Sequence, residues 1–286
     1  MKLQIISDLH FDCLAKADRE TIVEKIVNPE ADYVVLAGDI AESPDLKDFL
    51  EKFKDTGKKA IYVPGNHDHY EKHVTAFPAW VKALFESYGH IPLLDNFTII
   101  EDVVFIGGTL WTNISHPVQA NSVKLGMLDF KRVRGIGTHW WQNSHINTAK
   151  YIEEALKFEH FKDLKKIVVT HHSPSFKACP EKFKLDGLNV AFHSHLDHLM
   201  HEEWSPDIWI HGHVHDFCDM VVGNTRLIRN PFGYVAYGEK DTGFQKDFLI
   251  DTSNPDSYLH TDQQPGAEAV VPDPFGLLAE VPDVQP

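Results

Sequence analysis

Five short groups of aspartate, histidine and asparagine punctuate this 286-residue chain: Asp8-Leu9-His10, Gly38-Asp39, Gly65-Asn66-His67-Asp68, His171-His172 and Gly212-His213-Val214-His215. Nearly every one stands where an apolar run ends. Carboxylate, amide oxygen and imidazole are hard to borderline donors that suit manganese, iron or zinc. Asp8 and His10 are two residues apart, so at a strand end they point the same way and can grip one ion together. His213 and His215 share that spacing, and each can reach an ion. Gly38 permits close backbone approach, and the two oxygens of Asp39 suit a place between two ions. Asn66 offers a neutral oxygen to the second ion, and His171 completes its set. Seven donors pooled in this way serve two divalent cations about 3.5–4 Å apart, with positions left for water and substrate.

The bland alternative makes these residues turn formers and half-buried strand ends. Asp-x-His and Gly-Asp are too common to argue against it. Gly-Asn-His-Asp and Gly-His-x-His, each placed after a β run, are far more specific. All five groups, in this order and beside strand ends, are not turn chemistry.

The elements that must position them are visible as patterns. Residues 2–7, 33–37, 60–63, 166–170 and 207–210 are continuous apolar runs, the mark of strands buried on both faces. Ile22, Val23, Ile26 and Val27 have helical spacing. Ser43-Pro44 reads as an N-cap followed by proline at the first helical position. Trp80, Leu84 and Phe85 mark a third helix. The order β-α-β-α-β-α gives an α/β fold with a parallel sheet, and sites in such sheets form beyond the strand carboxyl ends. Residues 98–106 read as a hairpin around an acidic turn. Residues 126–143 look loop-like, 144–161 helical, and a short helix is expected near Leu196. Residues 225–228 and 244–250 read as strands on the far edge. A single domain over 1–252 is expected, followed by an acidic, proline-rich tail over 253–286, draped on the surface or disordered.

Composition narrows the function. The formal net charge is −15, of which seven acids without a compensating lysine or arginine fall after Ile250. An acidic body argues against broad nucleic-acid binding. No apolar run approaches the roughly 20 residues of a membrane span. Met1 to Ile6 flow straight into Asp8, which leaves no room for a signal peptide. Cys13, Cys179 and Cys218 form no C-x-x-C pair and read as reduced thiols. The expectation is a cytoplasmic protein with no membrane partner and no broad nucleic-acid partner.

In their order (D-x-H, G-D, G-N-H-[DE], a histidine after a strand, G-H-x-H) the five groups resemble the signature of the calcineurin-like metallophosphoesterases, in particular a bacterial and phage-type subgroup. The groups span residues 8–215, and the surrounding pattern extends the resemblance from Met1 to about Ile250. It implies an α/β fold made of a two-sheet β-sandwich flanked by helices on both faces. It implies that Asp8, His10 and His215 hold one metal, that Asp39 bridges, and that Asn66, His171 and His213 hold the other. It implies that His67 contacts the phosphate and protonates the leaving alkoxide while Asp68 holds the other nitrogen of its ring. Two divalent cations, manganese foremost with iron or zinc as alternatives, would serve a bridging hydroxide that attacks phosphorus in line. The implied substrate is a small phosphoester, a diester ahead of a monoester. His171 and His172 both fit the fourth group. The strand pattern favours His171 as the ligand and leaves His172 to contact substrate or support the site.

Other residues carry weaker signals. Asn113, after Trp111-Thr112 in a stretch similar to one in the same subgroup, is a candidate for the cleft wall; Trp111 reads equally as packing. Arg132 and Arg134 are candidate phosphate clamps because a guanidinium matches phosphate, set against ordinary surface ion pairs. His193, His195 and His198 read as a polar helix start rather than a third metal site. Asn230-Pro231-Phe232-Gly233-Tyr234 resembles a subgroup stretch and reads as structural support. A nuclease and a non-catalytic scaffold are the competing functions; the acidic body argues against the first and the complete set of donors against the second. Deleting the residues after Ser253 is expected to leave turnover within tenfold of the full chain, and a larger loss in steady-state assays would show that the tail reaches the cleft.

Overall fold

The computed structural model describes residues 1–239 and 241–257. The first sheet holds β1 (Lys2–Ile6), β2 (Tyr33–Ala37), β3 (Lys59–Val63) and the short β4 (Ile91–Pro92), all parallel. The second holds the hairpin β5 (Asn96–Ile100) and β6 (Val103–Gly108), then β7 (Lys165–Thr170), β8 (Ile208–His211), β9 (Cys218–Val222) and β10 (Thr225–Arg229). Its spatial order is β5-β6-β7-β8-β10-β9, with β6, β7, β8 and β10 parallel and both edges antiparallel. A last strand, β11 (Leu249–Asp251), returns to the first sheet and pairs antiparallel with β1. The helices are α1 (Lys16–Arg19), α2 (Ile22–Ile26), α3 (Leu46–Lys54), α4 (Phe77–Ser87), α5 (Pro117–Gly126), α6 (Asp129–Arg132) and α7 (Thr138–Leu156).

The continuous apolar runs have a simple cause. Successive side chains of a strand point to opposite faces, and both faces of both sheets are covered. Leu3, Ile5, Val35, Ala37, Ile61 and Val63 face Phe105, Ile167, Val169, Ile208, Ile210 and Ile228 between the sheets. The alternate residues Val34, Leu36, Ala60 and Tyr62 meet Ile26, Phe49, Leu50, Phe53, Phe77 and Phe85 beneath α2, α3 and α4. On the far side Val104, Ile106, Val168, Trp209 and Leu227 meet Ile152 and Leu156 of α7 and Leu199. The fold is therefore the four-layer α/β/β/α sandwich. No helix among the described residues is long and apolar enough to cross a membrane.

Several expectations are corrected. The loop-like stretch 126–143 holds α6 and the start of α7, because its paired tryptophans pack inward and Trp141 is fully buried. Ser43 caps nothing: its hydroxyl donates to the Asp68 carbonyl at 2.5 Å, and α3 begins only at Leu46. Residues 225–229 are not at an edge, since β9, unanticipated in the sequence, lies outside them. Of residues 244–250 only the end is strand. The expected tail falls, from residue 258 onward, outside the described residues.

Ile167 is fully buried between the sheets and away from the donor residues. Ile167→Ala is expected to cost about 2–5 kcal/mol, read as a lowered denaturation midpoint with unchanged metal stoichiometry.

Candidate metal centre

Because β1, β2, β3, β7 and β8 belong to the parallel parts of the two sheets, their carboxyl ends gather at one end of the sandwich. Beyond β1 and β2 the chains keep running together: the Asp8 amide donates to the Gly38 carbonyl at 3.0 Å, and the His10 amide to the Asp39 carbonyl at 3.0 Å. Here the backbone leaves its ordinary regions. Asp8 (φ 53°), His10 (φ 45°), Asp39 (φ 53°) and His213 (φ 68°) are all left-handed. Such residues cost of order 1–3 kcal/mol each and persist where the surroundings over-determine them. Gly38 and Gly65 make the crowding possible. A Cβ on Gly38 would stand 2.3 Å from the His171 ring, and one on Gly65 would stand 2.1 Å from a carboxylate oxygen of Asp39.

Among the described residues three overlapping clusters result, the middle one of His10, Asp39 and His67 linking the two outer ones. In the first outer one, Asp8, His10 and His215 bring one donor atom each to within 4.8 Å of one another. His10 Nε2 is 3.3 Å from His215 Nε2, which is 3.5 Å from Asp8 Oδ1. In the second outer one, Asp39, His171 and His213 do the same. His171 Nε2 lies 3.0 Å from Asn66 Oδ1, 3.2 Å from His213 Nδ1 and 3.3 Å from Asp39 Oδ2. Asp39 Oδ2 also stands 4.0 Å from His10 Nε2. The ring of His172 turns instead to the Thr109 carbonyl at 3.3 Å and packs on His213 and Trp111. It is fully buried.

These contacts fit cations. Imidazole nitrogens aimed at each other and at carboxylates are explained by a positive charge between them. Donors each about 2.1 Å from one ion stand roughly 3–3.4 Å apart, the spacing seen here. The outer nitrogens fix the inner ones: His171 Nδ1 faces the Ala37 carbonyl at 2.9 Å and His215 Nδ1 faces Glu239 Oε2 at 2.7 Å, which frees both Nε2 lone pairs for a metal. Burial depresses His171 and His215, but Asp39 in one case and Asp8 with Glu239 in the other outweigh it and raise both to about 9. Asp39 is held well below the carboxylate range, burial being overcome by His171 and His67. His10 is pushed down to about 3 by burial and by His67.

His67 stands at the open side of the clusters. Its amide donates to Asp39 Oδ1 at 2.8 Å, and its ring lies edge-on to His10, with centroids 4.7 Å apart. The expected partner of that ring, Asp68, is engaged elsewhere. The Asp68 carboxylate accepts from the amides of Asp39, Ile40, Ala41 and Gly65 at 2.6–3.1 Å, so it ties the loop after β2 to the loop after β3. Four unpaired strand-end N–H groups outcompete one imidazole for a fully buried carboxylate. The ring of His67 is held by others: Tyr70 stacks on it at 4.4 Å, and the Tyr234 hydroxyl lies 3.2 Å from its Nε2.

The weaker candidates scatter. Arg132 bonds Glu42 at 2.6 Å and Glu71 at 2.9 Å, and Arg134 pairs with Glu71 at 3.6 Å, so ion pairs take the place of the expected phosphate clamp. Exposed Asn113 closes a local turn onto the Ser115 amide. Trp111 is packing, wedged edge-on against Trp141 and Trp140. His193 is buried while His195 and His198 are exposed, and no third metal-type group forms around them among the described residues. Sequence reading missed Glu239 altogether and took Tyr234 for support; their only signal was a tyrosine and a glutamate flanking glycines. It also missed Asp129, a buried carboxylate that burial pushes up and that His67 and Asn66 pull down.

A sequence model of the calcineurin-like phosphoesterases matches residues 1–217. An uncharacterized protein of Acanthamoeba polyphaga mimivirus is 27 % identical over 264 residues, covering 81 % of this chain and 91 % of that protein. The solved structure of a phosphopantetheinyl hydrolase from Mycobacterium tuberculosis superposes with a TM-score of 0.69 at 14 % identity, covering 89 % of this chain and 97 % of that one.

Replacing Asp68 by asparagine sets an amide NH₂ among four N–H donors. Asp68→Asn is expected to destabilise the protein by about 2–3 kcal/mol. Chemical denaturation checks this, and an unchanged midpoint would return Asp68 to a purely catalytic role.

Proposed function

Since the chain belongs to the calcineurin-like phosphoesterases, hydrolases of phosphoesters that use divalent metal ions, we propose that it is a binuclear phosphodiesterase. The carrying observation is the pair of donor clusters, Asp8-His10-His215 and Asp39-His171-His213, linked by a third group of His10, Asp39 and His67. Asp8, His10 and His215 would hold one cation, Asn66, His171 and His213 the other, and Asp39 would lie between them. Manganese suits this oxygen and nitrogen set, as do iron and zinc. When bound, the two cations supply an activated water at neutral pH and neutralise the charge on the phosphoryl oxygens.

The protein's own groups do the rest. The left-handed turns at Asp8, His10, Asp39 and His213 fix the donors before substrate arrives, and buried strands behind them prevent relaxation. His67 is the proton donor placed for the departing oxygen. It is less enclosed than His10, His171 and His213, and its Nε2 is in contact with the Tyr234 hydroxyl at 3.2 Å. A positioned general acid is typically worth about 10²–10⁴-fold. The charge balance supports a diester. Arg132 is spent on Glu42 and Glu71, and the body is acidic, so a singly charged diester meets less repulsion than a doubly charged monoester. A phosphopantetheinyl group carried on a hydroxyl is also a phosphodiester, and the name of the superposing hydrolase puts such a conjugate on the substrate panel.

Manganese-loaded protein is expected to cleave bis-p-nitrophenyl phosphate faster than p-nitrophenyl phosphate. Asp39→Asn should abolish turnover of both. His67→Asn should cost about 10²–10⁴-fold on diesters with poor leaving groups and less on nitrophenyl esters. Faster monoester cleavage would make the protein a phosphomonoesterase. Turnover that survives Asp39→Asn would sink the shared-metal reading.

A further inference from the structure

The segment after β10 lies outside the family-matched residues, yet it touches the cluster of Asp8, His10 and His215 and also His67. Asn230 anchors it through Nδ2 to the Ile5 and Gln245 carbonyls, each at 2.9 Å. The Phe232 amide donates to the Ser7 carbonyl at 2.9 Å and the Gly233 amide to the Asp8 carbonyl at 2.8 Å, so the strap is sewn to the end of β1. Gly233, at φ +86°, then turns the chain. The Tyr234 ring stacks on His10 with centroids 4.0 Å apart and 19° between planes, and its hydroxyl reaches His67 Nε2 at 3.2 Å. Five residues on, Glu239 curls back. Its Oε2 accepts from the Tyr234 amide at 2.7 Å and faces His215 Nδ1 at 2.7 Å. A Cβ on Gly233 would stand 2.8 Å from that oxygen, so the turn leaves room only for glycine.

One carboxylate oxygen thus grips a donor histidine and the backbone that aims a phenol at the proton donor. We propose that Glu239 is a positioning residue that sets His215 as an Nε2 donor to the first metal and, through Tyr234, sets the ring of His67. The two tasks of the site, holding the cation and placing the proton donor, are then linked through one side chain. A carboxylate behind a metal-bound imidazole fixes its tautomer and orientation and strengthens it as a ligand. The Tyr234 hydroxyl limits rotation of a ring that Asp68 leaves free. This rests on the phosphoesterase reading above.

The test titrates manganese calorimetrically into metal-free full-length wild type, Glu239→Gln, Glu239→Ala and Tyr234→Phe, with a thermal midpoint for each. Wild type should bind two ions. In the folded Glu239 variants one binding event should weaken about 10–100-fold and the other stay as it was. Tyr234→Phe should bind both ions like wild type and lose more kcat on a diester with an alkyl leaving group than on bis-p-nitrophenyl phosphate, with KM little changed. Two wild-type affinities in a folded Glu239 variant would overturn the proposal. Equal kcat losses on both diesters in Tyr234→Phe would overturn its second limb, and this arm stands even if the Glu239 variants fail to fold. Wild type that binds no second ion would defeat the binuclear reading of the site, a result distinct from either.

Discussion

Two fully buried carboxylates, Asp8 and Asp39, stand at the carboxyl ends of neighbouring strands, and the rest of the molecule is arranged around that fact. Unpaired charges in a protein interior are costly. Against the effect of burial, these carboxylates draw the neighbouring imidazoles up, Asp39 acting on His171 and Asp8 on His215, each to about 9. A divalent cation held by each donor set would supply compensating charge, and donor atoms 3.0–3.5 Å apart fit that role. The left-handed backbone at four donors and the contact of Gly38 with the His171 ring are the geometric expense of bringing this much polar matter to one point.

The support comes in rings. Backbone carbonyls and carboxylates behind the imidazoles, Ala37 behind His171 and Glu239 behind His215, settle which nitrogen faces inward. Asp68 stitches the loops after β2 and β3 together by four amides, so that Asp39 and Asn66 cannot drift apart. Outside these lie the three apolar layers, which provide the stiffness. The arrangement divides labour between groups that touch cations, groups that aim them and a scaffold that touches neither.

Much of this was legible in the sequence, and for physical reasons. A strand buried on both faces has to be continuously apolar, and a donor at its end breaks the run, so Tyr33–Ala37 followed by Gly38-Asp39 announces both strand and site. The structure brings the seven expected donors together, but by left-handed turns beyond the strand ends at Asp8, His10, Asp39 and His213, not by the strand alternation that made their spacing noticeable. Asp68 was misassigned because sequence neighbours do not reveal that Ile40 and Ala41 supply N–H groups to it. Glu239 carried no pattern at all: it sits 24 residues from the histidine it holds, on an irregular strap whose course depends on Asn230 and Gly233. The loop-like stretch 126–143 was misread because α6 is short, only the start of α7 falls within it, and its tryptophans pack into a small apolar cluster of their own, with Trp111, Ile114 and Val123.

The alternation along the strands has a further consequence for how such a chain can diverge. In β1, Leu3 and Ile5 face the other sheet, while Ile6 belongs to the helix-covered layer. Losing or gaining one residue would exchange those faces for the whole strand, and in the same stroke it would swing Asp8 away from His215. The strands that end in donors are therefore frozen in length, and point substitution is the only change they tolerate. Changes of length cost least in the long excursions between strands, residues 109–137 and 172–207, which carry none of the donors. Such changes alter what can approach the donors and leave the strand ends that hold them in register.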